Sequence, residues 1–532
     1  MKCREKPLLL KGKANTNTNS DDNQACWNQC LFPTPRSTSS SSLSQKCQLL
    51  RLPAELLNSI FDLLEPIDLA CLAQTSHDVR NFANDDSRWR RLVQQNVPGL
   101  KLESSYPFNS YKELYVCHDP YWFLSKYKIW FCDRGLAGKM MVVRYDPRRA
   151  CIEGYLLVTD RHGTVRSWPA DSQVQIHVFE PHVKLHLDKP ALQLRARDMS
   201  RPFNFTPEMP MDLDDVVRCN LVLAAPVEAG LSESGYGPAP SYGVWPPPTI
   251  PAAQRTTTSA PYGATDPRLY TVPKTRAKMA DNVFRIRQWI EYMLPRSTLP
   301  VDTSDADTFA TVNGHALNPA LSTNPYGNLP LAIFGPGLGP AILGPGTGGA
   351  AVITYATLDP HLYTPTEEKP WRGIWVGDYC GHGCEFLLIH QPDDDQNNEA
   401  EPRQEGESEQ EYKERKKYHG RMEAIKLTGD SNVPRGECTF VVEDLGDGGL
   451  VDYSQEPPFI GCRIVKSQGH IAGNGFTNDE YMDSQLVLIS NDRLAQFWIG
   501  FGHISFFERV DIDSFLDPIA AVAVREQKNL RS

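Results

Sequence analysis

Between Leu49 and Leu92 the apolar residues recur at intervals of three and four, the spacing of an amphipathic helix. Pro53 suits a first helical turn, and Leu56, Leu57, Ile60, Leu63 and Leu64 then build one wide apolar face. Glu65-Pro66 ends that helix, because the residue before a proline disfavours the α region. A second helix follows through Leu69, Leu72 and Ala73, and Thr75-Ser76 caps a third through Val79 and Phe82. A fourth starts at Asp85 and turns Trp89 and Leu92 inward. Beyond Pro98 the period changes to two. Short segments such as MMVVRY (140–145), IEGYLLV (152–158), VQIHVFE (174–180), HVKLHL (182–187) and VVRCNLVLAA (216–225) read as strands between turn residues. The signal returns in seven further segments from GIWVGDY (373–379) to AQFWIGFGHISFFERV (495–510). The fold class expected is α+β: a small all-helical module, then a large, mostly antiparallel β-barrel-like or sandwich domain.

Composition adds the boundaries. Gly 37 and Pro 42 in 532 residues, with only 40% hydrophobic, mean that part of the chain does not pack. Residues 1–47 form a polar tail and 48–97 the helical module, while 98–225 and 353–516 are two parts of one β domain and 517–532 a C-terminal tail. Between the two parts, 226–352 reads as a disordered Pro/Gly-rich insertion with one helix near 277–294. There Val283, Phe284, Ile286, Trp289, Ile290 and Met293 make an apolar stripe. Residues 393–417, acidic first and basic last, read as a solvated loop. The uncharged stretch 331–353 is long enough to suggest a membrane span, but ten of its residues are Gly or Pro and no continuous helix survives that. A net charge of −11 argues against binding along a phosphate backbone and leaves room for a small local basic patch. The 13 cysteines, without a secretory leader, read as reduced thiols.

The helical module is too small to stabilise itself and is rich enough in leucine to keep an apolar surface for a partner. Leu52-Pro53, Glu55-Leu56, Ile60, Leu63-Leu64, Pro66, Asp68-Leu69, Leu72, Thr75-Ser76 and Trp89 resemble an F-box. That resemblance implies docking on a Skp-type adaptor of a cullin-RING ubiquitin ligase through Leu52, Pro53, Glu55, Leu56, Ile60, Leu63, Leu64, Leu69 and Leu72. It also implies a cytoplasmic or nuclear location.

The second β block carries Gly377-Asp378-Tyr379, Gly381-His382-Gly383, Glu385, Lys426-Leu427-Thr428-Gly429-Asp430, Asn432, Pro434, Gly436, and Gly469-His470-Ile471-Ala472 with Gly475-Phe476. These motifs resemble the C-terminal half of the F-box only protein thirty-one family, over roughly 371–510. The resemblance implies a substrate-recognition subunit whose ligand is a short peptide segment, such as a target's C-terminus. Asp430, Asn432 and Thr428, in a turn between strands, either cap their own loop or present recognition groups, and His382, Tyr379 and Trp375 are candidate rim residues. Cys380-Gly-His382-Gly-Cys384 offers three ligands where a structural zinc needs four, so no metal or cofactor is expected. No nucleophile elbow, phosphate loop or dinucleotide motif occurs, and a non-catalytic adaptor is expected. A Skp-binding scaffold outside any ligase, and an F-box fused to a hydrolase-like or carbohydrate-binding domain, are the alternatives.

Overall fold

A computed structural model describes residues 49–518, apart from 133–136, 161–162, 199, 201–203, 212, 214–216, 226–243, 246–255, 258–271, 291–350, 380–382 and 394–402. The helical module consists of α1 (Ala54–Phe61), α2 (Pro66–Leu72), α3 (His77–Ala83) and α4 (Asp86–Gln95). Ser76 and Asp85 cap α3 and α4 by accepting the N–H groups of Val79 and Ser87. Arg88, buried on α4, ties the module together. Its Nε donates to Asp62 Oδ1 at 2.7 Å, Nη2 to Asn58 Oδ1 at 3.1 Å and Nη1 to the Phe82 carbonyl. Two further helices, α5 (Tyr111–His118) and α6 (Trp122–Tyr127), lead into the strands.

The strands run β1 (Ile129–Cys132), β2 (Lys139–Asp146), β3 (Cys151–Asp160), β4 (Gly163–Trp168), β5 (Asp171–Phe179), β6 (His182–Leu185), β7 (Leu192–Arg195), β8 (Glu208–Met211) and β9 (Val217–Leu223). A two-residue ribbon, β10 (Val244–Trp245) with β11 (Thr256–Thr257), precedes β12 (Val283–Ile290) and β13 (Ala351–Ala356). The second half holds β14 (Gly373–Asp378), β15 (Cys384–His390), β16 (Met422–Lys426), β17 (Cys438–Val442), β18 (Leu450–Tyr453), β19 (Arg463–Gly473), β20 (Thr477–Leu488), β21 (Arg493–Trp498) and β22 (His503–Arg509).

These strands make two large sheets. One has the order β6-β3-β2-β1-β13-β12-β9-β8, with β7 on β3. The other runs β14-β15-β16-β17-β19-β20-β21-β22, and β14 pairs again with β22 to close an antiparallel barrel. The β4–β5 hairpin joins its outside through a parallel β5–β22 pairing. Side-chain alternation sorts most of the core into three large clusters. Leu57, Phe61 and Trp89 of the helices share one apolar cluster with Trp130, Met141, Val143 and Phe284, so the helical module is built onto the first sheet rather than hung from it. Ile129, Phe131, Met140 and Val142 on the other face meet Ile374, Val376, Phe386 and Leu388 of the barrel wall. Trp375, Leu387, Phe440 and Phe507 fill the barrel interior.

Two expectations are corrected. The segment expected to be a helix near 277–294 is the strand β12. It forms ladders with both β9 and β13, so a central position in the sheet overrides the apolar spacing, and Phe284 and Ile286 point alternately into the core. Met293 lies outside the described residues, as do the 1–47 tail, most of the insertion including 331–350, and most of the C-terminal tail. Within the charged loop, Glu409–Lys417 forms α7, started by a Ser408/Glu411 capping box. The acidic-to-basic order is the one the helix dipole favours. Cys117, Cys132, Cys151, Cys219, Cys384, Cys438 and Cys462 are in no disulfide, whereas Cys71 is disulfide-bonded, contrary to the reduced state expected. Among the described residues no helix is long and apolar enough to cross a membrane.

Candidate functional site

The wide apolar face of α1 is divided by the fold. Leu57 and Phe61 go into the core, while Leu56 remains 52% exposed, Ile60 38% and Leu63 86%. Leu52, Pro53 and Glu55 are exposed beside them. Leaving four large aliphatic side chains bare on one short helix and its approach is unfavourable in water and marks a surface that a partner covers. Leu69 is different. Only 1% exposed, it belongs to the module's core, because α2 turns that side inward against the other helices, and it is corrected from adaptor face to core residue. Leu64 and Leu72 are partly buried against the same cluster.

The second site lies at the barrel end where β14, β16, β19 and β21 finish. Here the inward positions change from apolar to polar. Lys426, at the end of β16, places Nζ 2.9 Å from Glu385 Oε2 and 3.2 Å from Asp430 Oδ2. The same ammonium lies 5.0 Å from the centre of the Tyr379 ring, whose hydroxyl bonds Thr439 Oγ1 at 2.8 Å. Glu385 and Lys426 are buried and Asp430 nearly so, so two carboxylates share one cation out of water. Burial pushes the Glu385 carboxyl up to about 8, more than Lys426 pulls it down. For Asp430 burial is outweighed by Lys426, by a hydrogen bond from Glu385 and by two backbone N–H groups, which hold it below the usual range. Burial thus favours the protonated form of Glu385, and Asp430, held low, is the stronger counter-charge to Lys426.

The remaining sequence candidates divide by role. Asp430 Oδ1 accepts the N–H groups of Asn432 (2.5 Å) and Val433 (2.9 Å), an Asx turn, so Asp430 both caps its loop and faces the lysine. Asn432 Nδ2 donates to the Ala472 carbonyl at 2.9 Å, and the Gly475 N–H reaches Ser431, fastening this loop to the β19–β20 hairpin. Thr428 Oγ1 accepts the Phe386 N–H at 2.9 Å. Trp375 is fully buried inside the barrel, its indole N–H on the Trp371 carbonyl at 3.0 Å, and is a core residue rather than a rim one. The inward side of β14 leaves it no other place. His382 and Cys380 lie outside the described residues. Glu385 and Lys426 belong to the motifs of the second β block but were not among the site candidates. Their signal is a charge at an inward position of an otherwise apolar strand, CEFLLIH and MEAIK.

Deeper in the same end, Gln496 Nε2 donates to Ser484 Oγ at 3.2 Å, and Ser484 meets Ser467 at 2.7 Å. Gln496 Oε1 is buried with no hydrogen-bond partner among the described residues. Gly469 lies against the Trp498 ring, where a Cβ would come within 2.3 Å of it. The arrangement offers an ammonium, a protonated carboxyl, an orphan amide oxygen and an indole, which suits polar recognition of a short chain segment. Among the described residues no group of three or more His, Cys, Asp or Glu could hold a metal ion.

Comparison with known proteins divides the chain in the same way. Residues 49–95, the helical module, match the family described as F-box-like. Residues 355–514, which contain the whole closed barrel, match the family described as cyclin D1 binding domain. The rice (Oryza sativa subsp. japonica) protein EXECUTER 2, chloroplastic, is 30% identical over 169 residues, 31% of this chain and 24% of that protein. The chain thus spans about a quarter of the length of this curated relative.

Proposed function

We propose that the chain is a substrate adaptor of a Skp–cullin–F-box ubiquitin ligase, of the kind found in the F-box only protein thirty-one family. The observation that carries this reading is the bare Leu52, Leu56, Ile60 and Leu63 surface on an F-box-like module that shares its core with a β domain. The leucine face docks on the Skp-type adaptor, where a few central apolar anchors supply most of the binding energy. The polar barrel end around Lys426, Glu385, Asp430 and Tyr379 holds a peptide segment of the target, such as its C-terminus. The match of the barrel to a family named for cyclin D1 binding supports a protein ligand and makes a cyclin-type protein the first target to test. Ubiquitin transfer then becomes effectively intramolecular, and the covalent chemistry belongs to the partner subunits.

The test is co-purification of the full chain beside a Leu56→Asp, Ile60→Asp variant. Both positions are exposed, so the charges do not enter the core. The wild type is expected to recover a Skp-type adaptor and a cullin, and the variant neither, at unchanged melting temperature. Equal recovery by both proteins would remove the leucine face from the interface. Recovery of the adaptor without the cullin would favour a scaffold role outside a ligase.

A further inference from the structure

The polar barrel end continues outward into a surface of different chemistry. Ser467 and Ser484 stand opposite each other on β19 and β20, and their hydroxyls meet inside the barrel. Positions two residues further along each strand share that face, so Gly469 with Met482, and then Ile471 with Glu480, line the same side of the hairpin. At the rise of an extended chain, Met482 lies about 7 Å and Glu480 about 14 Å beyond the serines.

Beside this face β21 ends in Trp498, and the chain passes directly into a 3₁₀ turn, Ile499–Phe501. Phe501 is 62% exposed and Ile499 44%, and the Phe501 ring lies 6.3 Å from that of Trp498. The turn is held in place. A Cβ on Gly500 would come within 2.6 Å of Met482 Cε, and the Gly502 carbonyl accepts the Gln175 N–H at 2.8 Å. Two bare apolar side chains on a fixed turn thus form a lip with the half-buried Met482 and Ile471. Below the lip, Gln496 Oε1 is the buried acceptor with no partner among the described residues, one that a ligand's N–H would complete. Beyond the lip the surface turns acidic. From Ser467 to Asp483 the sequence has no Lys or Arg, and Asp479, Glu480 and Asp483 are exposed.

We propose that the peptide segment held at the barrel end carries a bulky apolar side chain about two residues before the group that meets Gln496 and Lys426, and a basic side chain about four residues before it. This rests on the reading of the barrel end as a peptide site and adds the sequence that the site selects. An extended chain leaving the barrel reaches the Met482, Ile499 and Phe501 lip at its second residue and Glu480 at its fourth, by the rise of about 3.4 Å per residue. The apolar side chain covers the two bare ones of the turn. The hairpin carboxylates attract the basic residue and turn away an acidic segment, so selection has a repulsive as well as an attractive part.

The experiment captures peptides on the immobilised full chain from a synthetic pool with free C-termini, randomised over the last positions, and sequences what is retained. Aromatic and large aliphatic residues are expected to be enriched about fivefold or more two residues before the end, and Arg and Lys four residues before it. Phe501→Ser and Ile499→Ser alter exposed positions and leave the core intact. Each is expected to abolish the apolar enrichment while recovery of the Skp-type adaptor is unchanged, and Glu480→Lys is expected to exchange the basic preference for an acidic one. Retained peptides without an apolar preference, or the same preference with Phe501→Ser, would overturn this inference and leave the barrel-end reading standing. A pool retained no better than on bare resin would remove that reading and this inference with it. A dimer of the full chain that Phe501→Ser dissolves, with peptide selection unchanged, would assign the lip to a second copy instead.

Discussion

Replacing Glu385 by Gln is expected to flatten the dependence of stability on pH. Glu385 is buried beside Lys426, and its carboxyl is pushed up to about 8 from an ordinary 4.5, burial being the main cause. In the unfolded chain the same group ionises near 4.5, so between the two values the unfolded state has released a proton that the folded state retains. Ionisation then favours unfolding. The stabilisation linked to a protonated Glu385 is complete below about pH 4.5 and is lost as pH rises through about 8.

One pKa unit corresponds to about 1.4 kcal/mol, and the linkage integral between pH 5.5 and 8.5 gives a loss of about 3 kcal/mol. Gln keeps the shape and the hydrogen-bond donor toward Asp430 but has no proton to release. Urea unfolding of both proteins at the two pH values, followed by tryptophan fluorescence, measures the difference. Titrating groups that do not touch Glu385, including the buried His118 and the half-buried His503 whose pKa values are lowered, are present in both proteins and cancel. The expected result is a variant whose stability falls by about 3 kcal/mol less than that of the wild type over this interval. Parallel pH profiles would refute the protonated Glu385 and with it Asp430 as the stronger counter-charge to Lys426.

Other outcomes follow from the same geometry. Gly469→Val sets a branched side chain where even a Cβ meets the Trp498 ring at 2.3 Å; overpacking of this kind costs about 1–3 kcal/mol. A fluorescence-polarisation assay with a labelled target peptide is expected to show loss of binding while adaptor recovery is unchanged. Trp89→Ala removes a fully buried indole, with its N–H on the Ala83 carbonyl, from the cluster that joins α4 to the first sheet. A loss of about 3–5 kcal/mol is expected in chemical denaturation, with adaptor recovery falling because the leucine face loses its support.

What could be read from the residues alone follows the range of the forces involved. The F-box-like module was legible because its signals are local: a proline at a helix start, leucines three and four apart, Ser76 at a cap. The strands were legible for the same reason, but their partners were not. β14 and β22 close the barrel from distant parts of the chain, and nothing in GIWVGDY announces that pairing. The misread segment shows why. Val283, Phe284 and Ile286 fit a helical stripe and a strand equally, and their Pro/Gly-rich flanks suggested an isolated element. The decision is made by β9 and β13, each of which offers a ladder that β12 completes.

The candidate site depended on the same missing fact. Whether Trp375 or its neighbours face the interior is a question of parity, and parity has meaning only once the sheet is closed. Closure puts Trp375, Glu385 and Lys426 on one side and Ile374, Phe386 and Ile425 on the other. A charged residue at an inward position cannot stay bare, so Lys426 draws both Glu385 and Asp430 to itself. The Asx turn at Asp430, readable from TGDSNV as loop chemistry alone, thereby becomes one wall of the barrel end. Recognition at this end is a consequence of where the apolar filling of the barrel stops. Above Phe440 and Phe507 the interior no longer excludes polar groups by packing, and the Lys426 cluster, Gln496 and the serines occupy the space that remains.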